Sequence, residues 1–266
     1  MEPKQKLPRF LELFRASWGL YRERFLKLLL VGIPPALLFI LGGFTANWGA
    51  VSAVFTFAGI IVYIMYTPAM IWMLDKNASL GESYGFAARR FFPYLWVSAL
   101  VNLVVMGGVV MGVIPGIIFG IWFSIVTFTF LLEDRRGMDA LMASKAYVRG
   151  YFWPVLGRFL LVSLIVGLIA MLISLVLTQL GPVMNQIGTI VLQLVLIPFV
   201  MVYMLTLYRA LQGVKPDISA LVPQEKKGFF IFSAVLGILA PIILIAFLGF
   251  GIISALLGSL PAQSIQ

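Results

Sequence analysis

Histidine and cysteine are both absent from the 266 residues, and charge is scarce: Lys and Arg number 19, Asp and Glu only 10. Without cysteine there can be no disulfide, no thiolate nucleophile and no cysteine-based metal site, so the redox compartment leaves no mark on the sequence. Without histidine the usual proton carrier near neutral pH is missing, and with it the histidine-dependent phosphatase and serine-protease constellations. No Gly-rich phosphate loop ends in Lys-Ser or Lys-Thr, and no paired aspartates sit inside an apolar run. Any metal site would have to be built from carboxylates; Glu133, Asp134 and Asp139 are close in sequence, but the neighbouring Arg135, Arg136, Lys145 and Arg149 are better placed to neutralise them. These absences argue against an enzyme, a cofactor and a resident metal.

What fills the chain instead is apolar. Hydrophobic residues make up 62% and charged residues 11%, with a mean hydropathy of +1.06; soluble chains carry roughly 45–50% and about 25%. More apolar surface is present than a water-soluble domain of this length can bury, so the composition is that of an integral membrane protein. A long charged segment precedes the first apolar run, which is not the pattern of a cleaved secretory signal.

The apolar runs divide into about seven spans of an all-α, polytopic transmembrane helical bundle. Phe10, Phe14, Trp18, Tyr21 and Phe25 recur at helical spacing, which predicts an interfacial amphipathic helix with Pro8 near its first turn. Leu28 to Phe44, interrupted by Pro34-Pro35, is the first span, and a second ends near Leu74. Ser79 and Glu82 have capping-box spacing, so a short helix starts there. Residues 94–132 carry no charge, too long for one crossing of about 30 Å and enough for two; Pro115-Gly116 is the expected break. Gly108, Gly112, Gly116 and Gly120 recur every fourth residue around it, a spacing that suits close helix packing in lipid as well as a turn. The fifth span covers about 155–180, the sixth about 187–208, and the seventh about 229–257, with Pro241 as its kink. The domain reading is a membrane domain over 1–210, a polar linker over 211–228 containing Pro216 and Pro223, and an added helix with a short external tail over 229–266.

The basic residues fall in the amino-terminal segment and in the second-to-third, fourth-to-fifth and sixth-to-seventh connections, with Arg158 at the head of the fifth span. Basic loops stay on the cytoplasmic side, so the amino terminus is expected inside and the carboxyl terminus outside a bacterial cytoplasmic membrane. Three of these boundaries share a spacing: Ser17 with Arg24-Phe25-Leu26-Lys27, Ser83 with Arg90-Phe91-Phe92-Pro93, and Ser144 with Tyr151-Phe152-Trp153-Pro154. They read as three units of one amphipathic helix and one hairpin, or as three ordinary aromatic membrane boundaries. Arg22, Arg24, Arg89, Arg90, Arg135, Arg136, Arg149 and Arg158 lie at headgroup depth; anionic phospholipid would bind there, although positive-inside placement alone also accounts for them. Nucleic acid is a poor partner for cations dispersed among membrane junctions. Asn102 and Gln193 are the span residues with which a polar cavity would be lined, though such groups also serve as packing bonds between helices.

Ile114-Pro115-Gly116-Ile117, Glu133 after the fourth span, Ala140 through Ser144 to Val148-Arg149-Gly150, and Trp153 resemble the membrane-domain family associated with glycerophosphodiester phosphodiesterases, which includes YciC-like bacterial multipass proteins. The resemblance covers roughly residues 8–210, and the seventh helix departs from the six-span plan. It implies a membrane module without chemistry of its own, the phosphodiesterase activity of such proteins residing in a separate soluble barrel that this chain lacks. The expectation is a scaffold or lipid-interacting module in envelope or phospholipid homeostasis; a transporter or flippase for an amphipathic molecule, and an anchor recruiting an enzyme at its cytoplasmic face, are the alternatives.

Overall fold

The computed structural model describes residues 7–216, 218 and 227–258, with the side chains of 244–258 described only in part. Among the described residues every regular element is helical: α1 Phe10–Phe44, a 3-10 turn at Ala46–Trp48, α2 Ala50–Lys76, α3 Leu80–Arg89, α4 Phe91–Met111, α5 Val113–Trp122, α6 Val126–Leu132, α7 Met138–Val148, α8 Phe152–Thr178, α9 Pro182–Val214 and α10 Gly228–Gly258. Six apolar stretches are long enough to cross a bilayer: α1, α2, α4, α5 with α6, α8 and α9. The described apolar part of α10 is Gly228–Ile243. The chain is an all-α helical bundle of an integral membrane protein. Only 6% of the most apolar stretch of α8 is buried, so that helix presents apolar side chains outward, as a helix solvated by lipid does.

Two compact units emerge, residues 1–98 with 121–223, and 99–120 with 224–266. In the first, the expected surface helix and first span are one continuous helix, α1. Nothing between Leu20 and Ile33 breaks a helix, and the Arg9 amide donates to Glu12 Oε2 at 2.9 Å to start it. Pro34 and Pro35 lie inside it, and Pro35 removes the amide that would have paired with the Val31 carbonyl. The Tyr84 hydroxyl of α3 donates to that carbonyl at 2.7 Å, which compensates the lost bond and ties α3 to α1. The capping box at Ser79 forms, with Glu82 Oε2 accepting from the Ser79 amide at 2.8 Å; that amide and hydroxyl hold the Glu82 carboxyl below its usual range.

Ser17, Ser83 and Ser144, the serines of the three related boundaries, are all fully buried. Ser17 Oγ and Ser83 Oγ donate back to Leu13 and Ser79 carbonyls of their own turns. Ser144 Oγ instead donates to the Trp122 carbonyl at 2.7 Å, where the chain interrupts its helix between α5 and α6 and leaves that carbonyl open.

In the second unit the reversal of the chain falls at Gly112, with φ +145, and not at Pro115-Gly116. Gly112 adopts a conformation closed to L side chains, whereas Pro115 and Gly116 already lie in the first turn of α5, where proline costs no helical bond. The reversal brings Gly108 against Gly116: a Cβ on Gly108 would lie 3.2 Å from Gly116 Cα, although eight residues of continuous helix would separate them by about 12 Å. Gly120 has open space around it. α4 and α10 approach closely where Gly107 faces the Ser233 main chain and Gly237 faces the Leu103 carbonyl. Ser233 is fully buried, and its Oγ donates to the Val104 carbonyl at 2.8 Å. Phe119 packs edge-on against Phe229 and Phe230. Pro223 and half of the expected linker, and the tail after Gly258, lie outside the described residues.

Candidate functional site

The polar ends of α6, α7 and α9 meet around one carboxylate, Glu133, just past the end of α6. The turn that carries it is fixed by backbone geometry: Asp134 is left-handed at φ 54 and Gly137 at φ 51. Glu133 Oε1 accepts from Tyr147 at 2.8 Å, from Tyr208 at 2.7 Å and from Gln212 Nε2 at 3.3 Å. Its Oε2 accepts from Arg135 Nε at 2.7 Å, the two side chains being 8% and 9% exposed. Tyr208 and Gln212 are one turn apart on α9 and bond each other at 2.7 Å. Phe128 stacks on Tyr208. Burial pushes the Tyr147 phenol well above its usual range, and the Glu133 carboxylate beside it adds to the shift, so Tyr147 stays a proton donor. Every partner of Glu133 is a donor, which satisfies the carboxylate inside the protein and leaves it no role as a metal ligand; no cluster of three metal-ligating side chains occurs among the described residues.

Around this node the other charges are structural in their effect. Arg135 Nη2 donates to the Ile218 carbonyl at 2.6 Å. Lys215 Nζ donates to the Ala146 carbonyl at 2.6 Å and to that of Arg149, and lies over the Tyr151 ring. Arg24 Nη1 donates to the Leu74 carbonyl at 2.6 Å, and Lys27 Nζ to Asn77 Oδ1 at 2.7 Å, so two cations of α1 cap the carboxyl-terminal end of α2, where the helix dipole favours positive charge. Arg209 pairs with Asp75 at 3.0 Å. Arg90 pairs with Asp134 at 2.6 Å and lies over the Phe86 ring. Arg158 donates to the carbonyls of Pro154 and Pro8.

The eight arginines read as headgroup ligands therefore separate. Arg24, Arg90, Arg135 and Arg158 are half-buried and spent on partners inside the chain, whereas Arg22, Arg89, Arg136 and Arg149 are exposed. The exposed cations stand beside exposed aromatics: Trp18 one turn before Arg22, Phe92 after Arg89, and Trp153 after Arg149. Of the acidic residues near Glu133, Asp134 pairs across to α3–α4 and not with its sequence neighbours. The Glu133–Arg135 pair, two residues apart, was legible in the sequence; the phenol and amide partners were hidden, because they are fourteen, seventy-five and seventy-nine residues away, and their one local signal is the Tyr208/Gln212 spacing, which places both on one face of α9.

Deeper in the first unit, Gln193 of α9 lines a cavity of about 60 Å³ together with Gly32, Pro35, Tyr63, Tyr66 and Leu194. Asn102 belongs to the second unit and is exposed on α4. Comparison with protein-family models, with curated proteins and with solved structures finds no match to this chain.

Proposed function

We propose that this integral membrane protein is a non-enzymatic module of the bacterial cytoplasmic membrane. Its basic junctions hold anionic phospholipid, and it serves envelope or phospholipid homeostasis as a lipid-interacting scaffold. The observation that carries this reading is an exposed arginine at each of three successive junctions, Arg22, Arg89 and Arg136, with an exposed large aromatic, Trp18, Phe92 or Trp153, at the same junction. Aromatic rings settle at the headgroup layer, and a guanidinium there meets phosphate. The side chains of Arg22, Arg89 and Arg136 have no ion-pair partner among the described residues, so an external anion costs no internal bond. In this orientation the Glu133 node and the amino terminus face the cytoplasm. The resemblance to the YciC-like membrane-domain family supports the envelope role and the absence of chemistry.

The test is lipid enrichment. Protein reconstituted in nanodiscs of mixed zwitterionic and phosphatidylglycerol lipid is expected to retain excess phosphatidylglycerol on release into a mass spectrometer. Each interfacial cation is worth about 1 kcal/mol against an anionic surface, so Arg22→Ala, Arg89→Ala and Arg136→Ala combined should cut the preference by roughly a hundredfold, with folding intact because none of the three side chains bonds another among the described residues. An unchanged preference would remove the lipid role from these junctions.

A further inference from the structure

The cavity beside Gln193 contains a polar group that the fold leaves unused. Tyr66 is 4% exposed, and its hydroxyl lines the cavity with no hydrogen-bond partner. Two neighbouring phenols are engaged: Tyr84 donates to the Val31 carbonyl, and Tyr21 to the Val195 carbonyl at 2.9 Å. Buried hydroxyls are rarely left unsatisfied, so an unused one aimed into a cavity marks a place where something else completes it. Gly32 keeps the approach open, since a Cβ there would press on Leu194 and stand 3.6 Å from the Tyr66 hydroxyl. Across the cavity Gln193 offers an amide, which makes no hydrogen bond within the described residues. Pro198 removes the amide that would pair with the carbonyl of Leu194, another lining residue.

The cavity does not end there. Ile190 is shared with a second one of about 120 Å³, bounded by Ile40, Gly43, Phe44, Gln186 and Ile187, so a groove follows the seam between residues 32–44 of α1 and 183–197 of α9. Two features narrow the occupant. All residues lining either cavity are uncharged, which disfavours a phosphate or carboxylate in low-dielectric surroundings. Apart from Tyr63 and Gln186 the remainder of the lining is apolar, and the first cavity exceeds the roughly 10–15 Å³ that a single water needs.

We propose that the α1–α2–α9 groove binds a neutral glycerolipid: an apolar chain lies along Ile187 and Ile190, and a hydroxyl or ester carbonyl bonds the Tyr66 hydroxyl and the Gln193 amide. This site is separate from the basic junctions and does not depend on them. The occupant accepts a hydrogen bond from the Tyr66 hydroxyl and bonds the Gln193 amide, a pattern that an alkyl chain alone cannot satisfy.

The experiment is photolabelling of the full chain in nanodiscs with a diacylglycerol carrying a diazirine in one acyl chain, against a diazirine alkane of equal length. Diacylglycerol is expected to label α1 and α9 residues of the groove at least fivefold more than the alkane. Tyr66→Phe and Gln193→Leu should each erase that preference. Gln193 is exposed, so its replacement leaves the fold standing should Tyr66→Phe prove destabilising. The combined Arg22, Arg89 and Arg136 variant should label as the parent does, which separates failure of this site from failure of the headgroup role. Equal labelling by the two probes, labels outside the groove, or a preference that survives in Gln193→Leu would overturn the assignment and leave water as the partner of Tyr66.

Discussion

Glu133→Leu is expected to destabilise the protein by about 3–5 kcal/mol, the cost of removing one partner from a buried ion pair. The substitution removes the Glu133 carboxylate from Arg135, whose side chain is 9% exposed, and takes the acceptor from Tyr147, Tyr208 and Gln212 together. Unpaired buried hydroxyls add to the loss of the charge pair. Glu133→Gln keeps an amide oxygen for the two phenols and should lie between the parent and the leucine variant. The double replacement Glu133→Leu with Arg135→Leu should recover part of the loss, because the uncompensated charge is gone. Thermal unfolding in nanodiscs reads all three; a double variant no better than Glu133→Leu alone would mean that the phenols, and not the ion pair, carry the node.

The second large effect lies in the other unit. Gly107→Leu or Gly237→Leu should separate α4 from α10, since the added carbon at either position would fall on main-chain carbonyl atoms of Ser233 or Leu103. Overpacking commonly costs about 1–3 kcal/mol through side-chain shifts; here backbone must yield and the Ser233 to Val104 bond goes with it, so the upper part of that range is expected. Gly120→Leu is the control, because nothing lies within 4 Å of its added carbon. Gly→Leu by itself favours helix, so unfolding temperatures that fall equally at Gly107 and Gly120 would show that added bulk anywhere on these helices, and not the α4–α10 crossing, causes the loss.

The contrast between these glycines shows where sequence patterns stop. The ladder of Gly108, Gly112, Gly116 and Gly120 predicts close packing, and the fold uses its members differently: two face each other, one makes the reversal and one meets open space. Gly107 lies outside the ladder, and its partner Gly237 is 130 residues away, a distance no local pattern spans. The helical class, the apolar runs and the polar junctions were legible because composition and a fixed bilayer thickness determine them. The join between the surface helix and the first span was not, because whether a helix bends at a membrane boundary depends on what receives it, here the cap that Arg24 and Lys27 place on α2. Glu133 stood out as an acid after a span; its phenolic partners did not, because buried tyrosines are common and only tertiary contact selects Tyr147 and Tyr208.

A lipid-holding scaffold with basic junctions requires those junctions to share one side of the membrane, and the lack of native cysteine makes that measurable without background. Single cysteines at Glu23, Ala88 and Arg136 should resist a membrane-impermeant maleimide in intact bacteria and react once the membrane is permeabilised. Cysteines at Asn47 and Gln179, exposed in the α1–α2 and α8–α9 turns, should react in intact cells. Labelling of any one of the first three before permeabilisation would contradict a common cytoplasmic face for the arginines.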